Sequence, residues 1–200
     1  EIGDIQNVGQ LILVNCSNGE INDTKIQNTN CAIYLVECVN ISINRATIEN
    51  CSEYGIEIHE SHNITINTSN ISMIRGSGIF CGGDVLGSTN ICIQENNLFN
   101  ISENGLVLQF IENATISNNH IDSIGEQSVQ NGNCNNITLI KNQIQNSEVG
   151  INLYSSDNCI IKQNTIKTSK YGVDLDGYNY TIIENDFINC GLYFEQEDLT

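Results

Sequence analysis

The chain has no proline and no tryptophan, a single methionine, and only seven basic residues against 24 acidic ones in 200. Each shortage excludes something. A formal charge of −17 with so few Lys and Arg leaves no basic surface to grip nucleic-acid phosphates, and little to attract an anionic membrane. No apolar run approaches the ~20 residues of a membrane-spanning helix. Charged residues make up only 16% of the chain and hydrophobic ones 40%, a balance that can bury a core and speaks against disorder. The missing proline agrees with a fold made of internal strands, where it would delete ladder donors.

What is present in excess is asparagine and isoleucine, together roughly a third of the chain, far from average usage. They recur in order. Asn40-Ile41-Ser42-Ile43, Asn63-Ile64-Thr65-Ile66, Asn90-Ile91-Cys92-Ile93, Asn113-Ala114-Thr115-Ile116 and Asn136-Ile137-Thr138-Leu139 are copies of one segment, continued at Asn158 and Asn179 and begun weakly at Asn18. The period is about 22–23 residues, with one long interval between Asn63 and Asn90. A second signal, a small residue followed by apolar–any–apolar, appears as Gly55-Ile56-Glu57-Ile58, Gly105-Leu106-Val107-Leu108, Gly150-Ile151-Asn152-Leu153 and Gly172-Val173-Asp174-Leu175. Ser128 to Asn131 is its poorest copy, with Asn131 where an apolar residue is expected.

Each repeat reads as two or three short strands joined by tight turns, because alternation sends every second residue inward and β-branched Ile and Thr dominate. Such a period stacks as a solenoid, one coil per repeat, with strands pairing in parallel about 4.8 Å apart. Asn suits the left-handed backbone of a sharp turn, and stacked Asn amides can hydrogen-bond along the axis. A second Asn rank begins midway at Asn96, Asn119, Asn142, Asn164 and Asn185.

These Asn-x-x-Ile and Gly-Ile-x-Leu copies resemble the repeats of pectin-lyase-like and NosD-like proteins over about residues 8–194. The resemblance implies an all-β fold, a right-handed single-stranded parallel β-helix of about eight to nine coils, with residues 1–200 forming a single domain. It also implies a secreted, periplasmic or cell-surface location. Such families include polysaccharide lyases, hydrolases and epimerases as well as adhesins, so fold does not choose the activity. No cap is evident at either end, which predicts that the domain is a segment of a longer chain with flanking domains.

Nine cysteines leave at least one unpaired and match no zinc spacing. Most fall on inward or turn positions, where they act as small buried residues. Cys16 and Cys38 stack on neighbouring coils, at positions held elsewhere by Ser61, Ser88 and Ser156, near enough to raise a disulfide.

Binding in a solenoid is carried by outward ranks and inserted loops. The outward residues of the Gly-Ile-x-Leu strand read Tyr34, Glu57, Phe80, Val107, Gln130, Asn152, Asp174 and Tyr193 from coil to coil. Two residues on come Val36, His59, Gly82, Gln109, Gly132, Tyr154, Asp176 and Glu195. Aromatics mixed with carboxylates and amides suit a polysaccharide or glycan, with Tyr34, Phe80, Asn152, Tyr154, Tyr171 and Asp174 as its contacts. That reading makes the chain a non-catalytic module presenting an elongated face; a structural stalk is the blander alternative. The enzymatic alternative rests on Tyr54-Gly55-Ile56-Glu57-Ile58-His59, which is similar to the Tyr-Gly-Phe-Asp-Pro-His motif of alginate C5-epimerases. Carried over, Tyr54, Glu57 and His59 would move a proton at the sugar C5, although Ile58 replaces the Pro, Glu57 the Asp, and no basic clamp accompanies them. No cofactor is required by these motifs. Calcium is the one ion considered, on Asp174, Asp176 and Glu195. The long interval marks an insertion at Gly82 to Gly87 that should overhang the face of Glu57 and His59.

Overall fold

The computed structural model describes residues 6–83, 87–167 and 169–194. Among them there are 24 strands and no helix. Every strand pairing is parallel, and each strand between the first and last described coils pairs with its copy one coil before and one coil after, so the chain winds as a solenoid with three strand faces. Face A carries the Asn-Ile-Thr-Ile copies, among them Val39–Asn44, His62–Asn67, Thr89–Gln94, Glu112–Ser117 and Asn135–Ile140. Face B includes Asn70–Ile74, Asn97–Ile101 and His120–Ile124. Face C includes Ser77–Gly82, Leu106–Gln109, Gln127–Gly132 and Val149–Asp157. In two early coils, Lys25–Val36 and Thr47–His59 run through the bend between B and C as continuous strands.

The core is a set of axial stacks. On face A, Ile41 lies on Ile64, Ile64 on Ile91 and Ile91 on Ala114; on face B, Ile48 lies on Ile71 and Ile71 on Leu98. Nearly all of these side chains are fully buried, and each Ile contributes roughly 2–3 kcal/mol of apolar burial. Cys81 lies in the inward rank of face C between Ile58 and Leu108. All nine cysteines are free thiols, so the Cys16–Cys38 bridge does not form. Instead Cys38 Sγ donates to Val36 O at 3.4 Å and Leu13 O at 3.5 Å, while Cys16 Sγ turns to Val14 O.

The corners explain the asparagines. One Asn per coil starts face A with a left-handed backbone, from Asn18 (φ 57°) and Asn40 (φ 56°) to Asn158 and Asn179. Their amides form an exposed ladder in which Asn40 donates to Asn18, Asn63 to Asn40 and Asn90 to Asn63, each at 2.9 Å. The second rank is a different object. It lies inside the A–B corner, where Asn119 Oδ1 accepts from both the backbone N (2.9 Å) and the Nδ2 (3.1 Å) of Asn96. Asn119 Nδ2 donates in turn to Ile93 O at 2.9 Å and Asn142 Oδ1 at 3.0 Å. The small residue that opens face C has a steric cause: a Cβ on Gly78 would sit 2.7 Å from Gly105 O and 2.7 Å from Ile101 Cδ1.

Candidate functional site

Face C is where the predicted contacts gather. The backbone pairs Tyr34 with Glu57, Glu57 with Phe80, and Phe80 with Val107, so their side chains leave the coil on the same side. Val36 pairs with His59 and His59 with Gly82 in the adjoining rank. A third rank runs beside them, in which Cys31 pairs with Tyr54 and Tyr54 with Ser77.

These three ranks bring Tyr34, Tyr54, Glu57, His59 and Phe80 into one cluster over three consecutive coils. His59 Nε2 meets Glu57 Oε1 at 2.8 Å, with the side chains 29% and 20% exposed. The rings form a chain. Tyr34 meets His59 edge-on at 5.6 Å between centroids, His59 meets Phe80 at 5.5 Å, and Phe80 meets Tyr54 at 5.5 Å. Desolvation raises the Tyr54 hydroxyl above its ordinary value, and the Glu57 charge raises it further. Tyr34 is raised for the same two reasons. The Cys31 thiol is pushed up to about 12 by burial and by Glu57. Glu57 is therefore the electrostatic centre of the cluster.

The structure departs from the simple outward-rank picture at Val107, which is only 4% exposed. Two glycines show how the face is covered. Gly82 gives space to the Phe80 ring, whose Cζ would lie 2.8 Å from a Cβ there, and Gly132 lies under the Tyr154 ring. Rings on this face thus lean across neighbouring residues. Cys31 was missed as a member of the site. Its signal was its place immediately before the small residue Ala32, as Tyr54 stands before Gly55 and Tyr171 before Gly172.

Farther along the axis, Asn152 pairs with Gln130 and Asp174, while Tyr171 pairs with Val149. Tyr154 and Asp176 stand on the same face, both half-buried. Asp174 is raised above the ordinary carboxylate value by burial and by Asp176. Asn152 and Tyr154 are four coil steps from Glu57, and Asp174 and Asp176 five, about 19 and 24 Å at ~4.8 Å per coil. Glu195, the third of the calcium set, lies outside the described residues. Among those described, no three His, Cys, Asp or Glu side chains form a group able to hold a metal. Of the insertion, Asp84, Val85 and Leu86 lie outside the described residues; its root at Gly83 sits beside the Glu60 side chain and Gly87.

A family profile described as NosD, periplasmic copper-binding protein, matches residues 81–198. The chain belongs to the NosD family. No curated protein sequence matches this NosD-family chain. Among solved structures it is similar to the mannuronan C-5 epimerase AlgE6 A-module of Azotobacter vinelandii, at 13% identity and TM-score 0.68, over 91% of this chain and 65% of that one. It is similar to an alginate lyase from Paenibacillus (14%, TM-score 0.68, 90% and 73%) and to the surface adhesin PfbA of Streptococcus pneumoniae (15%, TM-score 0.63, 90% and 60%). At these identities the likeness establishes the parallel β-helix fold, and the chain spans less than two thirds of the epimerase module and of the adhesin. No helix among the described residues is long and apolar enough to cross a membrane.

Proposed function

We propose that this NosD-family chain binds glycan along face C, without chemistry, in the periplasm or at the cell surface. The observation that carries the reading is the chain of rings Tyr34–His59–Phe80–Tyr54. Half-buried, closely spaced rings offer flat apolar faces to sugar rings, and Glu57, Gln130 and Asn152 beside them offer hydrogen bonds to hydroxyls. The distance from Tyr34 to Asn152 suits an elongated ligand. The similar structures named for alginate chemistry and adhesion lend support, since a β-helix face is a recurring place for polymers.

The family description speaks of copper, which would require converging thiolate, thioether or imidazole groups. Burial instead pushes the thiols of Cys31, Cys51 and Cys134 up to about 12, about 11 and about 11, and among the described residues no three His, Cys, Asp or Glu side chains converge. The described residues do not fit a copper ion.

The test is a panel of soluble glycans titrated against the chain. Tyr34→Ala and Phe80→Ala should each weaken the best ligand about fivefold, the effect of losing ~1 kcal/mol of ring contact. Unchanged affinity in both variants, or no binding to any glycan, would remove the reading. The close Glu57–His59 pair beside Tyr54 favours a second reading, proton transfer at a uronate C5. Unsaturated ends or C5 inversion in a uronate polymer, lost in His59→Ala, would put that reading in place of simple binding.

A further inference from the structure

We infer that the face C cluster receives a protonated amine, so that the glycan it recognises is an amino-sugar polymer with free amino groups. This rests on the glycan reading above and names its substrate class. Three independent observations point the same way. First, Glu57 stands among rings on three consecutive coils, with Tyr34, His59, Phe80 and Tyr54 linked at 5.5–5.6 Å. A carboxylate framed by aromatic faces is the arrangement that holds an ammonium group, because the ring quadrupoles and the charge attract it together.

Second, no Lys or Arg of the face stands against Glu57. No Lys or Arg occupies the outward ranks from Tyr34 to Asp174 or from Val36 to Asp176. Where Lys and Arg pair with acids among the described residues, the partners are Asp23, Glu184 and Glu148, and the basic group beside Glu57 is the His59 imidazole at 2.8 Å. A polyanion approaching a chain of net charge −17 would meet repulsion without a clamp, whereas a polycation would be steered inward.

Third, the chemistry recurs along the axis. Asp174 and Asp176 stand on the same face five coil steps from Glu57, about 24 Å, with Tyr154 on the coil before them and its ring over Gly132. The edge of the face already shows a ring taking an amine, since Lys170 Nζ lies 5.1 Å from the Tyr171 ring centre. Two acidic stations on one face fit a ligand that repeats its positive charge, which a single small amine does not.

The experiment titrates the full chain with a glucosamine hexasaccharide, its fully N-acetylated counterpart, a mannuronate hexasaccharide and hexalysine, at about pH 6 and low salt where charge effects are least screened. The glucosamine oligomer should bind roughly tenfold tighter than the acetylated one, weaken as salt rises, and lose roughly tenfold in Glu57→Gln. Tyr34→Leu supplies a second variant that leaves the carboxylate in place and should lose several-fold. Equal or tighter binding of the acetylated oligomer, indifferent to Glu57→Gln, would overturn the amine while leaving glycan binding intact. Preference for mannuronate would do the same. Hexalysine binding as tightly as the glucosamine oligomer, with the same dependence on Glu57, would overturn the sugar assignment in favour of a peptide partner. Failure of every oligosaccharide would remove both this inference and the reading beneath it.

Discussion

At the scale of single residues, the repeat makes exceptions conspicuous. Asn131 stacks between Leu108 and Leu153 in the inward rank of face C. It is fully buried, and neither its Nδ2 nor its Oδ1 has a hydrogen-bond partner. A buried amide without partners costs its desolvation, about 1–3 kcal/mol, and returns no packing gain of the kind its leucine neighbours provide. Asn131→Leu keeps the heavy-atom branching, exchanges the amide for two methyl groups and restores the stack. It should stabilise the chain by about 2 kcal/mol, read as a higher urea midpoint with an unchanged slope. A lower midpoint would mean that the amide has a task in the lumen that leucine cannot perform. The sequence pointed to this position, because a polar residue interrupted an otherwise apolar rank.

At the scale of the element, the two asparagine ranks look alike in sequence but are unequal in energy. Asn63 belongs to the exposed ladder, where its left-handed backbone (φ 55°) is the chief demand and water can replace a lost amide bond. Asn119 is buried, and removing it strands the backbone N and one of the two Nδ2 hydrogens of Asn96, whose other still donates to Ile66 O, and takes a donor from Ile93 O. Asn63→Ala should therefore cost about 1 kcal/mol and Asn119→Ala about 3 kcal/mol or more by denaturant titration. Asn119→Ser should recover part of the loss, since Ser69 in the same rank accepts from Ala46 N at 3.0 Å. Equal costs for the two alanines would contradict the distinction. Rank position was legible because identical residues recur at a fixed period, and that alone yields strands, faces, inward stacks and parallel pairing. The interior of the second ladder was not legible, since a turn asparagine and a core asparagine share one letter. The candidate site was legible only in outline. Alternation put Tyr34, Glu57, His59 and Phe80 on one side, but the lean of Phe80 over Gly82 and of Tyr154 over Gly132, and the covering of Val107, depend on contacts between coils. Cys31 was legible only through its place before Ala32, since the register shifts between Thr29 and Cys31.

At the scale of the whole molecule, the composition sets how stability responds to pH. A net charge of −17 on a narrow solenoid repels itself at neutrality, and titrating carboxylates relieves that repulsion. A minority of acids oppose the trend locally. Burial tends to raise Asp122, but hydrogen bonds donated by Asn146, Gln145 and Ser123, aided by the charge of His120, outweigh it and hold the carboxyl below its ordinary 3.8. Asp23, bonded to Arg45, is likewise lowered. A carboxyl whose folded value is depressed contributes stability that is fully present above its unfolded value and is lost as pH falls through the folded one. The two effects therefore act in different windows. The thermal midpoint should rise as pH falls from about 7 to about 5, where repulsion fades before these pairs are protonated, and added salt at about pH 7 should reproduce part of that rise. Below the ordinary carboxylate range it should fall again, as Asp122 and Asp23 lose their charge. Asp122→Asn removes one of those titrations, so it should lower the midpoint near neutrality and flatten the acid limb while leaving the rise from about 7 to about 5 in place. Calorimetric melts of the two chains across that range decide the matter. A midpoint that is highest at neutrality and indifferent to salt would show that the outer carboxylates are too well separated to repel, and would leave local pairing as the sole source of the pH dependence.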